Sequence, residues 1–245
     1  MQEVRALLAT GVPPPDIARE TGIPAATVGR WSRGATAAFG KPPPIPPWRP
    51  PDDWSYAYLL GVYLGDGTVC VTKAGKSFLR ICLDGAYPEI VEEVRDAIGI
   101  TTLGGRTQVL FTPGSRVNTV QSGWSRWPEA FPQHGPGRKH ERPIVLVDWQ
   151  REIVDAHPRQ FVRGLIHSDG CRTVNRFKTT LPSGRIAEYA YPRYFFSNLS
   201  ADIRALFCDA CDALGVRWTL SNPRNVSVSH RESVAILEEA VGPKR

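Results

Sequence analysis

Two short segments of the sequence each end in an aspartate followed by a glycine. They are "LLGVYLGDG", Leu59 to Gly67, and "VRGLIHSDG", Val162 to Gly170, so Asp66 and Asp169 occupy the same position in both. Each segment is apolar before the aspartate and is typical of a helix, which places each carboxylate at the negative end of a helix dipole. A single Asp-Gly is typical of a turn that closes a helix. Two of them in matching segments indicate a shared use for the carboxylates.

Binding of a divalent cation is the chemistry that two such carboxylates favour. Side by side, the carboxylates of Asp66 and Asp169 repel each other, and a cation between them offsets this repulsion. Oxygen ligands completed by water suit Mg²⁺, and Mn²⁺ accepts the same kind of ligand. A metal held there can stabilise the attacking and leaving oxygens during hydrolysis of a phosphodiester. The segments therefore predict a Mg²⁺ or Mn²⁺ site at Asp66 and Asp169.

The spacing of small residues predicts how the two helices meet. Gly61 and Gly65 lie four residues apart on one face of the first helix, and Gly164 and Ser168 do so in the second. Small residues at this spacing allow two helix backbones to approach closely. We therefore predict that these four residues form a helix–helix interface, which brings the two aspartates together.

These two segments resemble the LAGLIDADG motif of homing endonucleases. Two motifs in one chain are similar to the family's monomeric form, and the resemblance implies double-stranded DNA as the partner. It also implies that the eighth motif residues, Asp66 and Asp169, are the metal ligands and catalytic acids. The sixth position, acidic in the family's name, is Leu64 in one copy and His167 in the other. We interpret His167 as a core residue, with contact at the edge of the active site as the alternative.

The family often places a basic residue near its metals. The two matching tails of this sequence, "GPGRKH" and "GPKR", provide Lys139 and Lys244 as candidates for that catalytic role. Simple contact with a phosphate or with solvent is the alternative for both.

The elements around the two motifs repeat as well. Each motif helix is followed by two alternating strands, a helix, two more strands and a closing helix. We therefore predict an α+β fold, a pseudo-two-fold pair of αββαββα half-domains over residues 54–150 and 151–245. Gly99 and Gly215 are predicted to end the corresponding second helices. The resemblance implies that the two antiparallel sheets form saddles that lie in adjacent major grooves.

Residues 1–36 predict a separate, small, all-α module. Three short helices with glycine-containing turns have the helix-turn-helix arrangement of DNA-binding regulators. The third helix presents Thr27, Arg30 and Arg33 as candidates to face a major groove. A helical hairpin that binds protein, or binds nothing, is the alternative.

A proline-rich segment, residues 37–53, separates this module from the repeats. The stretch from Lys41 to Pro51 contains seven prolines among its eleven residues. Such a run predicts an extended and semi-rigid spacer, and a proline-rich ligand for a partner domain is the alternative.

Basic and amide side chains of the predicted sheets are candidates for contact with DNA. A two-stranded ribbon fits the major groove, and most such contacts set the register on phosphates whereas few read bases. Asn198 is a candidate either for reading adenine or for capping the helix that follows it. The other candidates are Lys73, Lys76, Arg80, Arg106, Arg116, Arg172, Asn175, Arg176, Lys178, Arg185 and Arg193.

The composition is that of a basic globular protein. The chain has 245 residues, a formal net charge of +6 and a pI near 9.2, which favour an acidic partner such as nucleic acid. No apolar run reaches the roughly 18 residues of a membrane span, so we expect no membrane partner. The five cysteines lack disulfide spacing, which predicts a cytoplasmic, nucleoid-associated protein. We interpret the tryptophans Trp124, Trp127 and Trp149 as core, and the CxxC residues Cys208 and Cys211 as core or semi-buried.

Together these features predict a sequence-specific DNA-binding protein that cuts double-stranded DNA with Mg²⁺ at Asp66 and Asp169. The alternative is a transcriptional regulator that has the same fold and no cleavage activity.

Overall fold

The computed structural model describes residues 2–32, 47–111 and 113–242. The chain divides into two compact units, Met1–Pro47 and Trp48–Arg245. Within the described ranges no helix is both long and apolar enough to cross a bilayer.

The smaller unit contains three short helices. They are α1 (Gln2–Ala9), α2 (Pro14–Thr21) and α3 (Ala25–Ser32). Proline suits the first turn of α2, where a backbone N–H has no partner within the helix, and Gly22 ends this helix in the left-handed conformation, with φ of 68°. Val4, Ile17 and Val28, one from each helix, are buried against one another. The three helices agree with the predicted ones, and DNA binding by this unit stays a prediction.

The larger unit repeats one order of elements. Its first half consists of α4 (Asp53–Asp66), β1 (Gly67–Val71), β2 (Ser77–Asp84), α5 (Pro88–Thr101), β3 (Thr107–Phe111), β4 (Val117–Gly123) and the short α6 (Trp127–Ala130). A 3₁₀ turn (Lys139–Glu141) and α7 (Asp148–Ala156) connect the halves. The second half consists of α8 (Pro158–Asp169), β5 (Gly170–Thr180), β6 (Ile186–Ser197), α9 (Ala201–Ala213), β7 (Thr219–Asn222), β8 (Asn225–Val228) and α10 (Arg231–Val241).

Both halves form an antiparallel sheet of four strands with the same topology. The strand order is β1-β2-β4-β3 in the first half and β5-β6-β8-β7 in the second. The register also matches, because Gly67 pairs with Ile81 and Gly170 pairs with Phe196. The predicted α+β class and the pair of αββαββα half-domains are thus confirmed.

Each sheet packs one face against helices. In β2 the residues Leu79, Ile81 and Leu83 are buried, and in β6 the same is true of Tyr194 and Phe196. Alternate residues point to opposite faces of a strand, so the residues between these face away from the helices. We call this second side, which includes Arg80 in β2 and Arg193 in β6, the open face.

The β5–β6 hairpin is much longer than its counterpart. Its strands have 11 and 12 residues, whereas β1 and β2 have 5 and 8. β8 pairs with β6 only from Tyr194 to Ser197. Most of the hairpin is therefore a two-stranded ribbon that extends beyond the sheet.

The prediction that Gly99 ends a helix is wrong. α5 continues to Thr101, and Gly104, with φ of 87°, takes the left-handed conformation that Gly215 has after α9, with φ of 70°. Ile98 and Thr101 are both buried. Their packing holds the helix beyond the weak helix former Gly99.

An aromatic cluster closes one end of the first half. Trp48 has edge contacts with the rings of Tyr56 at 5.5 Å, Trp124 at 5.8 Å and Trp149 at 5.5 Å. Trp127 is completely buried beside them, which confirms that these tryptophans belong to the core. Trp48 lies in the predicted linker, yet its side chain belongs to the core of the larger unit.

Candidate active site and nucleic-acid face

The two motif helices, α4 and α8, pack backbone to backbone. A Cβ atom added to Gly61 would lie 2.9 Å from the backbone nitrogen of Leu165, and one added to Gly164 would lie 2.9 Å from that of Val62. Such distances leave no room for a side chain at either glycine. The structure thus places Gly61 and Gly164 at the centre of the predicted helix–helix interface.

The next turn of the same interface contains Gly65 and Ser168. A side chain on Gly65 would collide with the Ser168 hydroxyl and would lie 3.0 Å from Oδ2 of Asp169. Ser168 itself donates within its own helix, at 3.1 Å from the carbonyl of Gly164. The glycine in one helix therefore makes space for the polar end of the other.

The glycine after each aspartate serves a direct passage from helix to strand. Gly67 has φ of −91° and Gly170 has φ of −102°, both extended conformations. A Cβ on Gly67 would lie 2.6 Å from Cα of Tyr63, and one on Gly170 would lie 2.6 Å from Cα of Ile166. Asp-Gly here is therefore not a left-handed turn; the glycine is required because the strand starts tightly against the helix.

Asp66 and Asp169 line one cavity of about 540 Å³. Both carboxylates project from the last turn of their helices, beyond the close backbone contact of Gly61 with Gly164. Thr68 of β1 and Ser197 of β6, both on the open faces, line the same cavity. The cavity is therefore continuous with the open faces of both sheets.

Lys139 reaches the end of α4 from the connection between the halves. Its Nζ donates to the carbonyls of Leu64 at 3.0 Å and Gly65 at 3.1 Å, and also to that of Tyr63. The carbonyls of Leu64 and Gly65 have no partner within a helix that ends at Asp66, whereas that of Tyr63 also accepts from the backbone N–H of Gly67. Burial lowers the pKa of Lys139 to about 8, against the opposing effect of Asp169 and Asp66. Lys139 thus neutralises the negative helix end from which Asp66 projects.

Further basic side chains border the cavity from the same connection. They are His134, Arg138, His140 and Arg142. A cavity with this many donors around two carboxylates is suited to a phosphate together with a cation. Lys244, the candidate from the second tail, and Arg33, from the third predicted helix, lie outside the described residues.

Asn198 is a site residue whose position sequence reasoning missed. Its Nδ2 donates to Oδ2 of Asp169 at 2.6 Å, and its Oδ1 accepts from the backbone N–H of Ser200 at 2.7 Å. Ser200, with its hydroxyl 3.4 Å from the nitrogen of Ile203, is the N-cap of α9. Neither of the two roles predicted for Asn198, contact with a base or capping of the helix, includes its hydrogen bond to Asp169.

The donor set fits a hard divalent cation. The protein ligands are carboxylate oxygens, which Mg²⁺ and Mn²⁺ prefer. Among the described residues no cluster of three or more His, Cys, Asp or Glu side chains is arranged to hold a metal. Asp66 and Asp169 would therefore hold such an ion together with oxygens from water.

The sixth motif positions are both part of the core. Leu64 is fully buried, and His167 is 3 % exposed. Nδ1 of His167 lies 3.0 Å from the hydroxyl of Tyr58 and 3.7 Å from Oε2 of Glu93. Glu93 in turn accepts from Arg163 at 2.6 Å. His167 therefore belongs to a polar network that connects α8 with α4 and α5.

The candidate DNA-contacting residues do not share one face. Asn175 and Arg193 lie on the open face of the second sheet, where Arg193 donates to Ser227 at 2.6 Å. Arg80 lies on that of the first sheet and donates to Gln121 at 2.7 Å. The turns and strand ends contain Lys73, Lys76, Arg106, Arg116 and Arg185.

Three of the predicted cations lie on the opposite side of the ribbon. Arg172, Arg176 and Lys178 have the parity of Tyr194, which faces the helices. Arg172 donates to Glu238 of α10 at 2.9 Å, and Lys178 pairs with Glu188 on the neighbouring strand. Alternation along the strand therefore places them on the other face from Asn175, and contact of these three cations with DNA stays a prediction.

In the smaller unit, the candidates lie on α3. Thr27 is half-buried and Arg30 is exposed. Arg30 is free of the small core formed by Val28 and its neighbours, so it is accessible to a partner.

No protein-family model matches the sequence, and no curated protein matches it. Among solved structures, the chain is similar to I-DmoI in complex with DNA and Mn, with 16% identity over 78% of this chain and 98% of that chain, at a TM-score of 0.49. It is also similar to the LAGLIDADG meganuclease I-AabMI bound to uncleaved DNA, with 13% identity over 77% and 82% of the two chains, at a TM-score of 0.48. A third is the I-LtrWI LAGLIDADG homing endonuclease bound to target DNA, with 9% identity over 76% and 81%, at a TM-score of 0.48. At these identities and TM-scores the likeness assigns no function, which has to come from the residues of this chain.

Proposed function

We propose that this chain is a site-specific endonuclease for double-stranded DNA, of the LAGLIDADG homing-endonuclease type. It acts as a monomer and hydrolyses phosphodiester bonds with Mg²⁺ or Mn²⁺ held by Asp66 and Asp169. One observation carries the proposal: two aspartates, at the ends of two helices in backbone contact, share one cavity. A structural role explains the glycines but gives no reason for two acids at negative helix ends.

Each residue of the cavity has a distinct part in this chemistry. Asp66 and Asp169 bind the cation, which supplies charge stabilisation at the phosphate and a more acidic water. Asn198 fixes the orientation of the Asp169 carboxylate through its 2.6 Å hydrogen bond. Lys139 offsets the negative end of α4 and adds positive charge where a phosphate would enter.

DNA is held by the open faces of the two sheets. These faces lead into the cavity at Thr68 and Ser197, so a duplex that lies along them presents its phosphates to the aspartates. Arg80, Arg193 and Asn175 provide polar contacts there, and cations on the turns, such as Lys73, Lys76 and Arg185, contact phosphates. The smaller unit adds a second DNA contact through Thr27 and Arg30 of α3.

The second candidate function is a DNA-binding transcriptional regulator without cleavage. The three-helix unit favours this function, because two short helices joined by a turn at Gly22 resemble the helix-turn-helix of DNA-binding regulators. In that case the two aspartates would no longer bind a metal ion, while the open faces would still bind DNA.

One experiment separates the two functions. The full chain is used to select a bound duplex from a random pool, and the selected duplex is then incubated with protein in Mg²⁺, in Mn²⁺ and in EDTA. We expect cleavage at one position only with a divalent metal. Tight binding without any cut in either metal would reject the endonuclease and leave the regulator. Selection of no duplex would reject both.

A further inference from the structure

Three aromatic side chains cluster on the β5–β6 ribbon, two of them exposed and the third, Tyr189, half-buried between them. The rings of Phe177 and Tyr189 are 5.4 Å apart, those of Tyr189 and Tyr191 are 5.9 Å apart, and those of Phe177 and Tyr191 are 6.1 Å apart. Phe177 is 44 % exposed and Tyr191 is 50 % exposed. An exposed cluster of large apolar side chains marks an interaction surface. We call Phe177, Tyr189 and Tyr191 the aromatic trio.

The trio belongs to the open face. Phe177 pairs with Tyr189 across the ribbon, and Tyr189 and Tyr191 have the parity of Arg193, opposite to the buried Tyr194. The same row along β6 leads through Arg193 to Ser197 at the cavity. The aromatic trio is thus a continuation of the surface on which the proposed function places DNA.

The distance along the strand sets where on a duplex the trio would lie. A strand rises about 3.4 Å per residue, so Tyr191 and Tyr189 are roughly 20 and 27 Å from Ser197 along β6. One base pair advances about 3.4 Å along the duplex. The trio therefore lies about six to eight base pairs from the centre of the site.

Charge around the trio favours a polyanion over a protein surface. The segment from Gly170 to Ser197 contains five arginines and lysines, and its single acid is Glu188. Arg185 lies at the tip of the ribbon and Arg193 lies on the same face as the trio, two residues from Tyr191, whereas Arg176 and Lys178 lie on the opposite face. An aromatic patch bordered by cations suits a groove with an apolar feature between phosphates.

The major groove offers one such apolar feature, the C5-methyl group of thymine. The polar groups that the bases expose there are hydrogen-bond donors or acceptors, and the ring faces of the bases are stacked within the duplex. We propose that the aromatic trio determines specificity by contacting thymine C5-methyl groups about six to eight base pairs from the cleavage centre. This inference rests on the proposed function, since it needs a bound duplex.

Replacement of thymine by deoxyuridine tests the proposal, because it removes only the methyl group. Starting from the selected duplex, deoxyuridine is placed at thymines six to eight base pairs from the centre, on one side at a time, and the dissociation constant is measured. On the side bound by the ribbon we expect each replacement to weaken binding about four-fold, the equivalent of about 0.8 kcal/mol for a buried methyl. On the other side, contacted by the short β1–β2 hairpin, binding is expected to stay unchanged.

Two exposed side chains of the ribbon provide matched variants. Phe177→Ala removes a ring of the trio and is expected to abolish the difference between thymine and deoxyuridine. Ile186→Ala shortens a side chain that is 65 % exposed on the opposite face, and it should keep the difference. Thermal unfolding of both variants verifies that the ribbon remains folded.

Several results would overturn the inference. A selected duplex that binds equally with thymine and deoxyuridine on both sides would reject it while leaving the proposed function intact. The inference would also be rejected if Phe177→Ala weakened binding of the thymine and deoxyuridine duplexes equally. It would likewise be rejected if the chain formed a dimer that Phe177→Ala dissociated without changing DNA affinity. Selection of no duplex would reject the proposed function and this inference together.

Discussion

The side-chain amide of Asn198 donates to Oδ2 of Asp169 over 2.6 Å, while its oxygen accepts from the backbone of Ser200. The amide is thus held at both ends, which fixes one carboxylate of the proposed metal site. The matching position of the first half, two residues after the partner of Gly67, is Leu83. Leucine cannot donate, so the two halves of the site are not chemically equivalent.

Removal of this hydrogen bond should impair the metal site more than DNA binding. Because Asn198 orients a ligand, Asn198→Ala is expected to lower metal affinity or cleavage rate by about ten- to a hundred-fold. Cleavage rate measured against Mg²⁺ concentration, and DNA affinity measured in Ca²⁺, test this. Asn222→Ala, an exposed asparagine at the end of β7, is the control. Equal effects of the two substitutions would contradict the role of Asn198.

The backbone contact of α4 with α8 predicts a large cost for a single methyl group. Gly164→Ala places a Cβ against backbone atoms that cannot move independently. Overpacking of this kind costs about 1–3 kcal/mol, and we expect at least this from urea unfolding of the variant. Gly61→Ala should behave in the same way.

Gly99→Ala is the matched control for the glycine substitutions. Gly99 also lies within a helix, but a Cβ there meets no atom within 4 Å. Alanine is the better helix former, so this variant should be more stable by about 0.5–1 kcal/mol. If Gly164→Ala increased the free energy of unfolding as Gly99→Ala is expected to do, the close contact between α4 and α8 would be wrong.

Lys139 predicts a pH dependence of stability with a defined sign. Its pKa is about 8 in the folded chain, below its ordinary value of 10.5, because the side chain is buried. Between these two pH values the unfolded chain binds more protons, so this residue makes folding more favourable as pH rises. Unfolding free energies measured in EDTA at pH 7 and pH 9.5 should therefore increase more for the wild type than for Lys139→Met. Lys76→Met, at an exposed turn, should retain the wild-type difference, and an unchanged slope in Lys139→Met would contradict the burial of Lys139.

The five cysteines should divide into two classes of reactivity. Cys70, Cys82 and Cys171 are exposed, whereas Cys208 and Cys211 are buried on α9. Burial raises the pKa of Cys208 to about 11 and that of Cys211 further, and only the thiolate reacts. Titration with a disulfide reagent at pH 8 should therefore modify three thiols in the native chain and five in urea. Fast reaction of all five without denaturant would show that α9 does not pack as described.

Much of the fold could be predicted from patterns that span only a few neighbouring residues. Such patterns occur in both halves: the Asp-Gly motif, the small residue at Gly61 or Gly164, and the alternating strands. They predict the repeat, the helix pair and the convergence of Asp66 on Asp169. Strand parity would also have separated Arg172 from Asn175, since it needs only the register of one strand.

Other features depend on contacts between distant segments. Asn198 meets Asp169 because β6 returns beside the end of α8, which no spacing in the sequence reveals. Gly99 lies within a helix because Ile98 and Thr101 are buried against the sheet. Trp48 belongs to the aromatic core although it lies in a proline-rich stretch, because its ring packs against those of Tyr56 and Trp149.

Asp66 and Asp169 should act together as one cleavage site, and the measurement that checks this is a single-turnover cleavage rate. Saturating wild-type protein, Asp66→Asn and Asp169→Asn are each mixed with the selected duplex in Mg²⁺. Asparagine keeps the shape and removes the charge that binds the metal. We expect DNA affinity within about three-fold for all three proteins, and a loss of roughly a thousand-fold or more in rate for each variant, comparable to removal of a group that stabilises a transition state. Cleavage by either variant within about ten-fold of the wild-type rate would show that Asp66 and Asp169 do not form the cleavage site together.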